Sequence, residues 1–152
     1  MVRSVNKNWS TLSALQVGEI AELLAQAAFM SYGFEVYDTV LDDRGIDFIA
    51  RKNGRLYEVQ VKAVRKYGYT FVAKNKMDVQ AENRLVCYMN FMDGDMPPMY
   101  IIPATAWQKP NAVLTDKDYP GMKSQPEWGI SFSRKSEDVL LPYLAERVME
   151  NL

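Results

Sequence analysis

Apolar residues recur along the chain with two different periods, and the change of period divides it into elements. From Leu12 to Tyr32 the spacing is helical: Leu12, Val17, Ile20, Leu23, Leu24, Ala27 and Ala28 share one broad face at about 100° per residue. Ser13 with Gln16 three residues on forms a capping box, and Gly33 suits the left-handed residue that closes a helix. Glu22 falls nearly opposite the centre of the apolar face and Glu19 nearer its margin. Beyond Gly33 the pattern becomes strand-like over Phe34–Val40, Ile46–Arg51 and Leu56–Val64, then near Tyr69–Ala73, Arg84–Asn90 and Met99–Ile102. Residues 103–135 carry Pro103, Pro110, Pro120 and Pro126 and read as irregular loop with room for one short element. A closing helix is predicted from Pro142, a first-turn proline, to about Glu150. The order predicts one α/β domain over residues 1–152, a mixed β-sheet flanked by helices.

One turn fixes the register of two strands. Asn53-Gly54 between apolar runs is the strongest short-range hairpin signal, because both central residues of a type I′ turn need positive φ. With those two as the loop, Lys52 faces Arg55 and Asp47 is expected directly opposite Gln60. Side chains alternate along a strand, so Glu58, Gln60 and Lys62 share that face. An aspartate and an amide oxygen supply part of the oxygen shell of Mg²⁺ or Mn²⁺. A lysine beside them stabilises charge on a phosphate.

Composition narrows the chemistry. The chain has 152 residues, 48% hydrophobic and 24% charged, with one cysteine and no histidine. An internal disulfide, histidine-based zinc sites and histidine-dependent triads are thereby excluded. No apolar run approaches the roughly 20 residues of a membrane-spanning helix, and the first ten residues lack a signal-peptide core, so a cytoplasmic protein without membrane contact is expected. The net charge of −1 conceals a basic segment. Arg51, Lys52, Arg55, Lys62, Arg65, Lys66, Lys74 and Lys76 stand against Glu58 alone, interleaved with Tyr57, Tyr67, Tyr69 and Phe71. Such a segment can contact phosphates and stack on bases; charged hairpin edges that block aggregation produce the same pattern.

Three stretches, Gly18-Glu19-Ile20-Ala21-Glu22, Gly45-Ile46-Asp47-Phe48-Ile49 and Glu58-Val59-Gln60-Val61-Lys62, resemble the PD-(D/E)xK nuclease superfamily. The resemblance covers roughly residues 12–66. It is to small members such as archaeal Holliday junction resolvases and to homing-endonuclease-like members in which glutamine replaces the acid of the motif. It implies a restriction-endonuclease-like core, extended over 84–152 by sheet, loop and helix. It also implies a Mg²⁺- or Mn²⁺-dependent endonuclease acting on DNA, with Glu22, Asp47, Gln60 and Lys62 catalytic and Asp47 and Gln60 on the metal. Glu19 is the reserve for Glu22, and Glu58 could offset the charge lost at Gln60. Arg51, Lys52, Arg55, Arg65, Lys66, Lys74 and Lys76 would follow the DNA backbone, and cutting two strands makes a homodimer plausible. Ile46 stands where the motif has proline, and Gln60 leaves a second reading open: an inactive nuclease-fold domain that binds nucleic acid, or a protein partner in a defence or toxin system. Ile102-Pro103, Trp107 and the segment Lys123–Gly129 loosely resemble uncharacterised members of the superfamily, with Trp128 either anchoring a loop or lining a nucleic-acid groove.

Overall fold

The computed structural model of the chain describes residues 4–39 and 44–152, so the expected strand end at Val40 lies outside the described residues. The helical pattern forms α1, Ala14–Ser31. Its capping box is present: the Ser13 hydroxyl accepts from the Gln16 amide at 3.1 Å, and the Gln16 side chain accepts from the Ser13 amide at 2.9 Å. The buried face is rotated from the expected one. Val17, Ala21, Ala25 and Phe29 point inward, whereas Leu23 is 66% exposed. Two alanines allow a close approach to the sheet, and the Phe29 ring meets Phe34 and Phe48 edge-on with centroids 5.2 and 5.3 Å away. Burying that aromatic contributes more than burying one leucine.

Eight strands follow: β1 Glu35–Asp38, β2 Phe48–Lys52, β3 Arg55–Arg65, β4 Gly68–Ala73, β5 Arg84–Phe91, β6 Met99–Pro103, β7 Leu114–Lys117 and β8 Glu127–Phe132. Five make a mixed sheet in the order β1-β2-β3-β5-β6, antiparallel except for the β3–β5 pair. The tight hairpin is as predicted. Asn53 and Gly54 take φ of 52° and 77°, and β2 and β3 pair from Lys52–Arg55 to Phe48–Val59.

The remaining three strands form a second antiparallel sheet, β4-β8-β7: β4 is the strand expected near Tyr69–Ala73, whereas β7 and β8 lie where the sequence predicts irregular loop. Strand β8 alternates Trp128, Ile130 and Phe132 with Gly129 and Ser131, a period-2 pattern that the prolines around it conceal. Pro126 lies just outside the strand, and its carbonyl accepts from the Lys74 amide at 3.0 Å. The closing helix is also corrected. It splits into α2, Glu137–Leu140, a 3-10 turn at Leu141–Tyr143, and α3, Ala145–Val148. Pro142 brings no amide hydrogen to this region, and Leu144 is extended at ψ 137° and bridges to Tyr100.

Strands β3 and β5 separate two cores. On one side α1 packs with Phe48, Val59, Leu85, Cys87 and Met89. On the other, Val86 and Tyr88 meet Ile102, Trp107, Leu114, Ile130 and Phe132 beneath the second sheet. All eight residues of β5 are buried.

Gly129 is required for close packing of the second sheet. A Cβ there would collide with the Tyr69 ring and hydroxyl and the Thr115 hydroxyl, and Tyr69 lies there because its hydroxyl donates to Glu127. Gly129→Ala is expected to destabilise the fold by about 1–3 kcal/mol through overpacking, read as a lower denaturant midpoint at unchanged slope.

Candidate active site

The site begins where β2 stops. Regular pairing ends at Phe48–Val59, and the Asp47 amide donates to the Val59 carbonyl at 2.8 Å rather than continuing the ladder. Asp47 and Phe48 thus both engage Val59, the two-against-one arrangement of a β-bulge. The bulge re-aims the aspartate. Its Oδ2 accepts from the Val61 amide at 2.7 Å, so a carboxylate replaces the backbone carbonyl that another residue of β2 would have supplied. Hydrogen bonds to a carboxylate are among the stronger ones in proteins.

This geometry corrects the expected patch. Asp47 was to face Gln60 across a regular ladder; the bulge instead sets its carboxylate against the edge of β3, beside Val61. There it lines a cavity of about 180 Å³ with Glu19, Glu22, Gly18 and Ala63, between α1 and β3. Glu22 is partly buried and Glu19 exposed, so the helix carboxylate set nearly opposite the apolar centre is the better covered of the two. The inward rotation of Phe29 and the two alanines accounts for this.

Gln60 belongs to the opposite face. Its amide packs on the Gly45 backbone, and its oxygen accepts from the Arg84 guanidinium at 3.1 Å. The same Arg84 nitrogen donates to the Gly45 and Arg44 carbonyls at 3.0 and 3.2 Å. A Cβ on Gly45, at φ +69°, would press on the Gln60 amide at 3.1 and 3.3 Å, and the backbone conformation there favours glycine. Lys62 follows two residues along β3, hence on the face of Gln60, and is partly buried. Glu58, also on that face, lines a cleft of about 470 Å³ with Arg84, Ile46 and Trp128. Arg84 is not among the candidates that the sequence pattern offers; its one signal there is a cation opening a strand that runs apolar from Leu85 to Met89 before Asn90.

The structure therefore brings Glu19, Glu22 and Asp47 to one cavity and sets Gln60 with Arg84 across the sheet. Among the described residues, no group of three or more Asp, Glu, Cys or His side chains is gathered to hold a metal ion. Cys87 is no nucleophile: complete burial, and secondarily the charge of Asp47, push its thiol well above the usual range.

The basic residues of the middle segment do not form one stripe. Arg55 and Arg65 stand at opposite ends of β3, roughly 33 Å apart. Arg51 pairs with Glu35 at 3.3 Å, and Lys52 donates to the Tyr32 carbonyl at 2.8 Å. Arg65 holds the carbonyls of Trp9 and Leu12 at the start of α1. Lys66 sits at positive φ in the turn before β4. Lys74 binds Asp116 and Asp118 and lies 4.1 Å over the Trp128 ring. Lys74, Lys76 and Arg44 line the same cleft as Trp128.

No family model and no curated protein matches the chain. Solved structures do. The chain is similar to Hjc, a Holliday junction resolvase from the archaeal hyperthermophile Archaeoglobus fulgidus, at 13% identity and a TM-score of 0.51, over 86% of this chain and 93% of that one. It is similar to the bacterial homing endonuclease I-Ssp6803I at 16% identity and a TM-score of 0.56, over 91% and 92%. No helix among the described residues is long and apolar enough to cross a membrane. The mixed sheet flanked by helices is thus the restriction-endonuclease-like fold of these two nucleases.

Proposed function

We propose that the protein is an endonuclease that hydrolyses DNA phosphodiester bonds with Mg²⁺ or Mn²⁺, using Asp47, Gln60, Lys62 and Glu22. The observation that supports this is the Asp47 carboxylate, held by the Val61 amide at the edge of β3 beside the cavity it shares with Glu19 and Glu22. It stands on a fold also found in two nucleases.

The donor chemistry fits such a cation. Carboxylate and amide oxygens are hard ligands, and Mg²⁺ takes only one or two protein carboxylates beside water and phosphate oxygens. Asp47, with Glu22 or the Gln60 oxygen, would hold it. Once bound, it would polarise the phosphoryl oxygen and lower the pKa of a water molecule. Asp47 is already oriented by its bond to Val61, so little side-chain freedom is lost on binding. Lys62 would stabilise negative charge on the phosphate. Gln60, on the other face of β3, would join only by giving up its bond to Arg84 and turning its amide toward the strand edge that holds Asp47. Arg51, Lys52, Arg55, Lys66 and Lys76 would meet backbone phosphates, which position DNA without reading its sequence. Cutting both strands at one place would take a second copy of the chain.

The Gln60–Arg84 bond favours a second reading, an inactive nuclease-fold domain that binds nucleic acid or a protein partner. Cleavage assays on plasmid, branched and single-stranded DNA separate the two. Metal-dependent cuts, abolished by EDTA and reduced about 10²-fold or more by Lys62→Ala, are expected for the nuclease. Cleavage undiminished in Lys62→Ala would remove that lysine from the mechanism. No cleavage of any substrate with either metal would favour the inactive reading.

A further inference from the structure

The 470 Å³ cleft lies between the two sheets, on the Gln60 face of β3 rather than beside Asp47 and α1. Its walls combine three kinds of chemistry. Arg44 and Lys76 are exposed cations and Lys74 and Arg84 add two more, against the carboxylates of Glu58 and Asp78. Trp128 supplies an indole held in place twice, by the Lys74 ammonium 4.1 Å above its ring and by its own N–H donating to the Met77 carbonyl at 3.2 Å. Ile46, the residue before Asp47, and Arg84, bonded to Gln60, connect the cleft to both sides of the candidate active site.

We propose that this cleft binds a single unpaired nucleotide of the DNA substrate. Arg44 and Lys76 take its phosphate, Trp128 contacts its base, and Glu58 and Asp78 accept from base N–H groups. The volume falls within the roughly 300–1,000 Å³ of small-ligand pockets and accommodates one nucleotide, not a stacked base pair with both backbones. An aromatic wall with cations is the chemistry of single-strand binding, where bases stack on rings and phosphates meet basic side chains. Fully paired DNA offers such a site no base, so the preferred substrate carries an unpaired nucleotide next to the scissile phosphate. This inference deepens the nuclease reading and rests on it for the word substrate. The binding itself needs neither metal nor cleavage.

Trp9 and Trp107 are buried and Trp128 is partly exposed, so fluorescence can report on the cleft. The whole protein is titrated in EDTA with a duplex carrying one unpaired nucleotide and with the same duplex fully paired. The expected result is quenching that disappears in Trp128→Phe, and about tenfold tighter binding of the DNA with the unpaired nucleotide, as stacking one base on a ring provides. Lys76→Glu, a change at an exposed position, should remove most of that preference, weakening binding of the DNA with the unpaired nucleotide more than binding of the paired duplex. Equal affinity for both DNAs, quenching that persists in Trp128→Phe, or a preference untouched by Lys76→Glu overturns the proposal. Cleavage of paired DNA with Mg²⁺ alongside equal affinities would leave the nuclease reading standing and this one refuted. No binding to either DNA and no cleavage would refute both.

Discussion

Asp47→Asn is expected to lower metal-dependent DNA cleavage by roughly 10³-fold. A divalent cation contributes several kcal/mol to a phosphoryl transition state, and each 1.36 kcal/mol is a factor of ten. The asparagine keeps the shape and one carbonyl oxygen, so it can still accept from the Val61 amide. What it loses is the charge that draws a hard cation. Stability should fall by only about 1 kcal/mol, the difference between a charge-assisted hydrogen bond and a neutral one. Comparing cleavage rate with thermal midpoint checks both halves: loss of activity at a nearly unchanged midpoint supports a metal ligand. Cleavage within threefold of the parent would show that the carboxylate serves only to finish the strand, and the proposed chemistry would have to leave this edge of β3.

The largest expected effect on stability lies in the other core. Trp107 is fully buried, and its indole N–H donates to the Gly129 carbonyl at 2.9 Å. Trp107→Ala removes the ring and leaves that carbonyl without its side-chain donor, in a core shared with Tyr88, Ile130 and Phe132. Large aromatic deletions cost roughly 3–5 kcal/mol. At about 2–4 °C per kcal/mol for a chain of this size, the melting temperature should fall by roughly 6–20 °C. Calorimetry on the variant measures this, and a shift under 3 °C would mean that the second sheet does not depend on the tryptophan.

Local signals carried most of the first half of the fold. The Ser13–Gln16 box, Gly33 and Asn53-Gly54 each demand one backbone geometry, and each adopts it. The β2–β3 register follows from the turn as far as Phe48–Val59. It fails one residue later, because a bulge depends on what the last amides of the ladder find as partners, and no spacing rule encodes that. The helix face failed for a related reason. Periodicity ranked Leu23 by hydrophobicity, whereas the sheet selected Ala21 and Ala25 for their small size. In the second half, prolines outweighed the alternation of Trp128, Ile130 and Phe132, although Pro126 sits one residue before the strand it seemed to forbid. The role of Arg84 was not legible, because a buried cation is recognised by its acceptors, here two backbone carbonyls and Gln60, which only folding assembles.

Arg84 has a consequence for how the two sides of the sheet communicate. One guanidinium borders the cleft and also holds the Gln60 oxygen. A ligand that drew this guanidinium toward itself would release the amide, and a cation that captured the amide would release the guanidinium. The two events would then be linked by a single coupling free energy, equal in both directions. Under the proposed function, filling the cleft and binding the cation would reinforce each other, and the chemistry would stay idle until the DNA arrived.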